Sequence, residues 1–241
     1  MAHRLLPITL LTTFTSVAAA AVAGCGGGDE RAQPVRGTGR AVLAGGYTSA
    51  QLEQALLIET PGYTRNGEPD SGEYGALKAF QDLAQLRRQV TVDKPRCQNG
   101  GTGGAGGPVG NVEADVPAAL AAFTRRDGQM VTETLMGMSA AEADKQVGAR
   151  VPPGCLTFRT KVGRQWSEHR VVETPQGDIG GGSRSIGVAT TTGRDRTYTW
   201  YVVFKDTRYV GTVSVFGPNA TRQEAERLAR ESLVQARRIL G

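Results

Sequence analysis

The sequence predicts an α+β fold: a central antiparallel β-sheet flanked by helices, in a single domain preceded by an N-terminal signal and a flexible tether. Three observations carry this. Helix-start signals recur at Thr48-Ser49-Ala50-Gln51, Ser139-Ala140-Ala141-Glu142 and Thr221-Arg222-Gln223-Glu224, each placing a hydroxyl three residues before a Gln or Glu. Six or more strand-like runs follow Pro117, joined by short turns that suit antiparallel neighbours. In the clearest of these runs Tyr198, Trp200, Val202 and Phe204 share one face, while Thr197, Thr199, Tyr201, Val203 and Lys205 share the other. Apolar residues on both faces indicate a central strand covered on both sides.

Taken in order, Thr48 caps a helix carrying Leu52, Leu56 and Leu57, which Pro61-Gly62-Tyr63 stops. Gly67, Pro69 and Gly72 mark an exposed turn. Tyr74 to Gln89 is helical again, with Leu77, Phe80, Leu83, Ala84 and Leu86 directed inward. Gln98 to Gly110 is Gly-rich; it lacks the Lys and the flanking strand and helix of a phosphate-cradling loop, and reads as surface loop. Ala118 to Arg125 and Met130 to Met138 form a hairpin about Arg126-Asp127-Gly128-Gln129, with a helix over Val116 to Phe123 as the competing reading because of its many Ala. Ser139 opens a short helix through Ala143, Val147 and Val151, ended by Pro152-Pro153-Gly154. Strands follow at Leu156 to Val162, Arg170 to Glu173, Ser185 to Thr191, Thr197 to Lys205 and Arg208 to Phe216. Thr221 opens the last helix, Arg222 to Leu240. Its inner stripe is Ala225, Leu228, Ala229, Ser232, Ala236, Ile239 and Leu240, and its outer pairs are Glu226 with Arg230 and Arg227 with Glu231.

Before this domain, Arg4 begins an apolar run from Leu5 that ends in small residues at Val22-Ala23-Gly24-Cys25. A charged start, apolar middle and small-residue end make an export signal. Pro7 and the interspersed Thr suit a permanent membrane span poorly. Val22-Ala23-Gly24-Cys25 resembles the lipobox of bacterial lipoproteins. That likeness implies cleavage between Gly24 and Cys25 and acylation of Cys25, which would hold the chain at the extracytoplasmic face of the cell membrane. The expected organisation is a signal over 1–24, a tether over 25–46 and a domain over 47–241.

Formal net charge is +5, and +4 once residues 1–24 are set aside. The basic residues are scattered rather than gathered on one helix, which argues against a nucleic-acid partner. With Cys25 set aside, Cys97 and Cys155 remain. An exported chain meets an oxidising compartment, so these two are expected to form a disulfide.

Chemistry is sparse. Beyond His3 in the leader, His169 is the only histidine, and a hydrolase would have to use it. No Ser lies in a G-x-S-x-G elbow. Neither metal-ligand spacing nor a cofactor motif is visible, so no catalytic residue, metal or cofactor is assigned. Asp178, beside Gly177 and Gly180-Gly181-Gly182, is either a polar contact at a ligand cleft or part of a turn that needs positive φ. Trp200, Tyr201 and Tyr209 either line an apolar pocket or fill a sheet core.

Several stretches together resemble the extracellular sensor domain of PknH-type mycobacterial receptor kinases and related actinobacterial surface lipoproteins. They are Thr48 to Leu57 with Pro61-Gly62-Tyr63, Ala122-Phe123-Thr124, Cys155 before Phe158, Gly177-Asp178, the hairpin Trp200 to Val215 and the helix Ala225 to Leu240. The resemblance spans residues 47–241. It implies a sheet flanked by helices with a ligand-binding cleft, and two disulfides in the kinase sensors, of which this chain has cysteines for one. With no kinase domain in the sequence, a signal would pass to a partner membrane protein. The expectation is therefore a lipid-anchored, sensor-like domain that binds a small molecule or an envelope component and catalyses nothing. The alternatives are an envelope interaction module and a hydrolase built on His169.

Overall fold

The computed structural model describes residues 46–98 and 109–241. Gly24, Cys25 and the expected signal lie outside the described residues, as do the tether up to residue 45 and residues 99–108 of the Gly-rich stretch. The described residues fold as one α+β unit: a ten-stranded sheet with four α-helices.

Chain order runs α1 (Ser49–Ala55), β1 (Thr64–Arg65), β2 (Asp70–Glu73), α2 (Lys78–Arg88), β3 (Val90–Val92), β4 (Pro117–Thr124) and β5 (Met130–Gly137). Then come α3 (Ala140–Gly148), β6 (Thr157–Val162), β7 (Gln165–Gly177), β8 (Ser183–Thr192), β9 (Asp195–Lys205), β10 (Tyr209–Gly217) and α4 (Arg222–Leu240). The sheet order is β1-β4-β5-β10-β9-β8-β7-β6-β3, with β2 also on the outer edge of β4, and the strand pairings are antiparallel. The chain thus builds two hairpin ladders, β4-β5 and β6 to β10, and joins them where β5 pairs β10.

Because side chains alternate along a strand, the sheet has two distinct faces. On the first, Ala119, Phe123, Leu135, Val202, Phe204 and Val213 meet α1 and α4 in the main core. On the second, two smaller clusters lie beneath the rest of the chain. One joins Leu77, Met136, Val203 and Val210 to Ala143 of α3; the other surrounds the disulfide with Val92, Phe158, Ile186 and Val188. β9 serves both faces, as its double alternation requires: Val202 and Val203 are each fully buried.

The helix caps form where the sequence places them. Thr48 and Ser139 each accept from the amide three residues on, and Gln51 and Glu142 return to the cap amides. At α4 only half of the expected box forms. Thr221 accepts from the Glu224 amide at 3.2 Å, but the Glu224 side chain turns to Arg227 and Tyr63 instead. The outer pairs also rearrange: Arg227 binds Glu231 as expected, but Glu226 takes Arg222 and Arg230 reaches Asp178.

Three further expectations are corrected, and one strand is new. The stretch about Gly67–Gly72 is more than a turn, since β1 and β2 both pair β4. Short β3, which pairs β6, gave no sequence signal. The strand expected at Arg170–Glu173 extends over thirteen residues, passing Pro175 with a register shift between Thr174 and Gly177; such an irregularity tolerates the missing proline N–H. Finally, α2 buries none of its residues, and Leu83 and Leu86 are exposed. The hairpin at Ala118–Met138 stands as a hairpin rather than a helix, with Gly128 at φ 83° in its turn.

Cys97 and Cys155 form the expected disulfide, closing a span of 58 residues between two 3-10 turns, Pro95–Cys97 and Pro153–Cys155. A fully buried Arg184 is held by the Gln146 carbonyl at 3.1 Å and Glu173 at 3.3 Å. A buried charge needs such partners, and here they tie α3 to β7 and β8.

Candidate binding cavity beneath α2

The absence of burial in α2 has a physical counterpart beneath it. A cavity of about 220 Å³ lies between the second face of the sheet and the segment Tyr74–Arg87. Its floor comes from four adjacent strands. Thr134 of β5 faces Thr212 of β10, Thr132 faces Ser214, and Ser214 faces Tyr201 of β9. Leu120 and Met136 complete the floor, Tyr74, Phe80, Leu83 and Arg87 form the roof, and Val109 closes one side. Tyr74 and Phe80 stack with ring centroids 4.2 Å apart, fixing the start of the roof.

The floor is polar for a surface so well covered. Thr132 and Ser214 hydroxyls satisfy each other at 2.5 Å. The Thr212 hydroxyl does not: it is buried, with 8% of the residue exposed, and has no hydrogen-bond partner among the described residues. Leaving such a group unmatched costs about 1–3 kcal/mol. Above it, the Nε of Arg87 is likewise buried without a partner. Burial pushes the Tyr74 and Tyr201 phenols up from their ordinary pKa, and the Arg87 charge draws both back. The guanidinium therefore sits within electrostatic reach of both rings.

Of the candidate binding residues Asp178, Trp200, Tyr201 and Tyr209, only Tyr201 lines this cavity. Trp200 and Tyr209 belong to the opposite face. The Tyr209 ring packs edge-on to Tyr47 and Phe204, and its buried hydroxyl is pushed upward in pKa mainly by desolvation. Asp178 is exposed and bonded to Arg230 at 2.7 Å. The glycine loop after it is held by Lys205, whose carbonyl accepts from Gly181 at 2.9 Å, with Gly180 at φ 67°. Asp178, Trp200, Tyr201 and Tyr209 therefore do not converge on one site.

The residues that sequence reasoning missed are Thr132, Thr134, Thr212 and Ser214, together with Arg87. A signal existed for the first four: each of two strongly apolar strands carries hydroxyls at alternate positions on a single face, which an ordinary core does not require.

His169 sits on a cross-strand rung. Its Nε2 is 2.7 Å from the Thr160 hydroxyl, its Nδ1 is 3.0 Å from Thr190, and its ring stacks on Phe158 at 4.7 Å. Neither nitrogen is hydrogen-bonded to a carboxylate that would orient it as a base. Burial lowers its pKa, and only the more distant Asp93 charge opposes this. No group of three His, Cys, Asp or Glu among the described residues could hold a metal ion. A more open hollow lies along the outer surface of α4 at Glu224, Glu226, Arg227 and Arg230, but these charges already pair with their neighbours.

No protein-family model matches the sequence, and no curated protein matches it. Solved structures do. The crystal structure of the extracellular domain of PknH from Mycobacterium tuberculosis superposes with a TM-score of 0.55 at 13% identity, covering 80% of this chain and 98% of that one. A putative uncharacterized protein from Mycobacterium smegmatis, an Rv0999 ortholog, aligns with a TM-score of 0.46 at 14% identity, covering 78% and 95%. The chain thus has the fold of the PknH extracellular domain, in accord with the resemblance read from its sequence.

Proposed function

We propose that this protein is a non-catalytic, lipid-anchored, sensor-like domain of the extracytoplasmic cell envelope that binds a small ligand in the cavity beneath α2. The observation that carries the binding reading is the cavity of about 220 Å³ itself, whose walls are largely apolar and whose lining holds a few hydroxyls and the Arg87 guanidinium. Ligand sites are concave, largely apolar and furnished with a few placed polar groups. Placement outside the cell is supported by the leader, by the disulfide between Cys97 and Cys155 and by the fold shared with an extracellular domain. Cys25 would carry the lipid, and a separate membrane protein would receive the signal.

Thermal-shift measurement of the full-length protein against small envelope-derived compounds tests the binding reading. At least one compound is expected to raise the midpoint, and a Ser214→Trp variant, which fills the cavity, should lose that rise. A panel without effect on the wild type, or a rise retained by Ser214→Trp, would contradict it. Mass spectrometry of the N-terminal peptide tests the anchor: a diacylated or triacylated Cys25 is expected, and an intact leader would overturn it.

A second reading, an envelope interaction module, is favoured by the exposed Trp166 near the β6–β7 turn, where Arg159 and Lys161 both lie over its ring. Loss of an envelope partner in a Trp166→Ala variant that keeps its thermal response to ligands would assign the two roles to separate surfaces.

A further inference from the structure

We infer that the ligand is a small anion with an apolar body about the size of one aromatic ring, its anionic oxygens received by Arg87 and its body held over the Thr212 floor. This rests on the reading of the cavity as a binding site and adds the chemistry of what it takes.

The inference follows from the charges and donors that line the cavity. Arg87 is the only formally charged side chain among the described lining residues, and no carboxylate there offsets it. It makes no hydrogen bond or ion pair among the described residues, and its Nε is buried. A guanidinium presents five N–H donors and no acceptor. Held partly out of water without an anion, it is an unmatched donor set whose geometry suits a carboxylate or phosphate in two parallel bonds. The neighbouring Tyr74 and Tyr201 phenols are neutral at physiological pH, because burial raises both. They can donate to the same anion but cannot replace it.

The rest of the cavity restricts the body of the ligand. Phe80, Leu83, Leu120 and Met136 supply apolar walls. An apolar cavity of about 150 Å³ admits benzene, so about 220 Å³ fits a single ring bearing one small substituent. A neutral sugar would satisfy the hydroxyl floor but leave Arg87 unmatched. A cation would meet Arg87 with like charge.

Calorimetric titration of the full-length protein with benzoate, phenyl phosphate and neutral benzamide tests this, and the two anions separate carboxylate from phosphate recognition. At least one anion is expected to bind about 10-fold or more tighter than benzamide, the range for a hydrogen bond to a charged group. Arg87→Met should abolish that preference, and Arg87→Lys should restore part of it. Because α2 buries none of its residues, these variants should fold as the wild type does. Benzamide binding as tightly as both anions, or an anion preference that persists in Arg87→Met, would overturn the anion assignment and leave the cavity as a binding site. Failure of all three probes to bind would overturn both.

Discussion

The Glu133 carboxylate accepts a hydrogen bond from the Leu57 backbone N–H at 2.7 Å, across 76 residues of chain. Its second oxygen accepts from the Ser232 hydroxyl of α4. One fully buried side chain thus joins β5 to the chain just after α1 and to α4, at the centre of the main core. Desolvation pushes its pKa up to about 7, against the opposing pull of Ser232, Leu57 and Arg65.

This gives a pH dependence with a definite sign. The folded state holds its proton more tightly than the unfolded chain, whose Glu titrates near 4.5. Between those values the folded state binds more protons, so the contribution of Glu133 to stability is full below about 4.5 and is lost as pH rises through about 7. The full effect is on the order of 3 kcal/mol. His169 works in the opposite direction, its lowered pKa costing stability in acid, so the difference between wild type and Glu133→Gln isolates the Glu133 contribution. Urea denaturation should show the variant gaining on the wild type between pH 5 and 8. A difference that does not change with pH would refute the assignment.

Reduction should be costly at one end of the sheet. The disulfide closes a 58-residue span around the cluster of Val92, Phe158, Ile186 and Val188. The chain-entropy model gives about 4 kcal/mol for such a span. A Cys97→Ala/Cys155→Ala double variant is expected to unfold about 2–4 kcal/mol more easily in denaturant. A loss under about 0.5 kcal/mol would show that packing alone holds the two turns together.

Trp200 packs flat on the backbone of Gly187 directly across the strand pair, and a Cβ there would lie 2.6 Å from its ring. Gly187→Ala should therefore destabilise by about 1–3 kcal/mol through overpacking, read as a lower thermal midpoint. Gly187→Ala/Trp200→Leu should recover part of the loss, and no recovery would place the cost in the backbone.

Asp178 provides a contrasting case. Its pair with Arg230 is solvent-exposed, and such pairs contribute about 0–1 kcal/mol. Asp178→Ala is expected to shift stability by less than about 1 kcal/mol and to leave benzoate affinity unchanged. A loss of binding would move the site to the α4 side of the sheet.

What was legible in the sequence was local or strictly periodic. Thr48 and Ser139 cap their helices because hydroxyl and carboxamide or carboxylate stand three residues apart, whatever lies around them. The two covered faces of β9 follow from its alternation. The extent of β7 was hidden because Pro175 and the alternating charges of its first half read as turn and surface. α2 misled for a different reason: its apolar spacing is helical and its inner side does face the sheet, but a cavity separates the two, so Leu83 stays exposed. Arg87, beside Arg88, reads as one of many solvated charges. That it shares a cavity with the hydroxyls of Thr132, Thr134, Thr212 and Ser214, with no carboxylate among the described lining residues, depends on two strands far along the chain, which spacing cannot reveal.

The most direct test is a methyl-resolved NMR titration of the full-length protein with benzoate and benzamide. Saturable shifts are expected at Leu83, Leu120 and Met136, with Leu56 and Leu228 on the opposite face silent. Probes that leave those three methyls unmoved, or that shift only the α4 side, would contradict a binding site beneath α2.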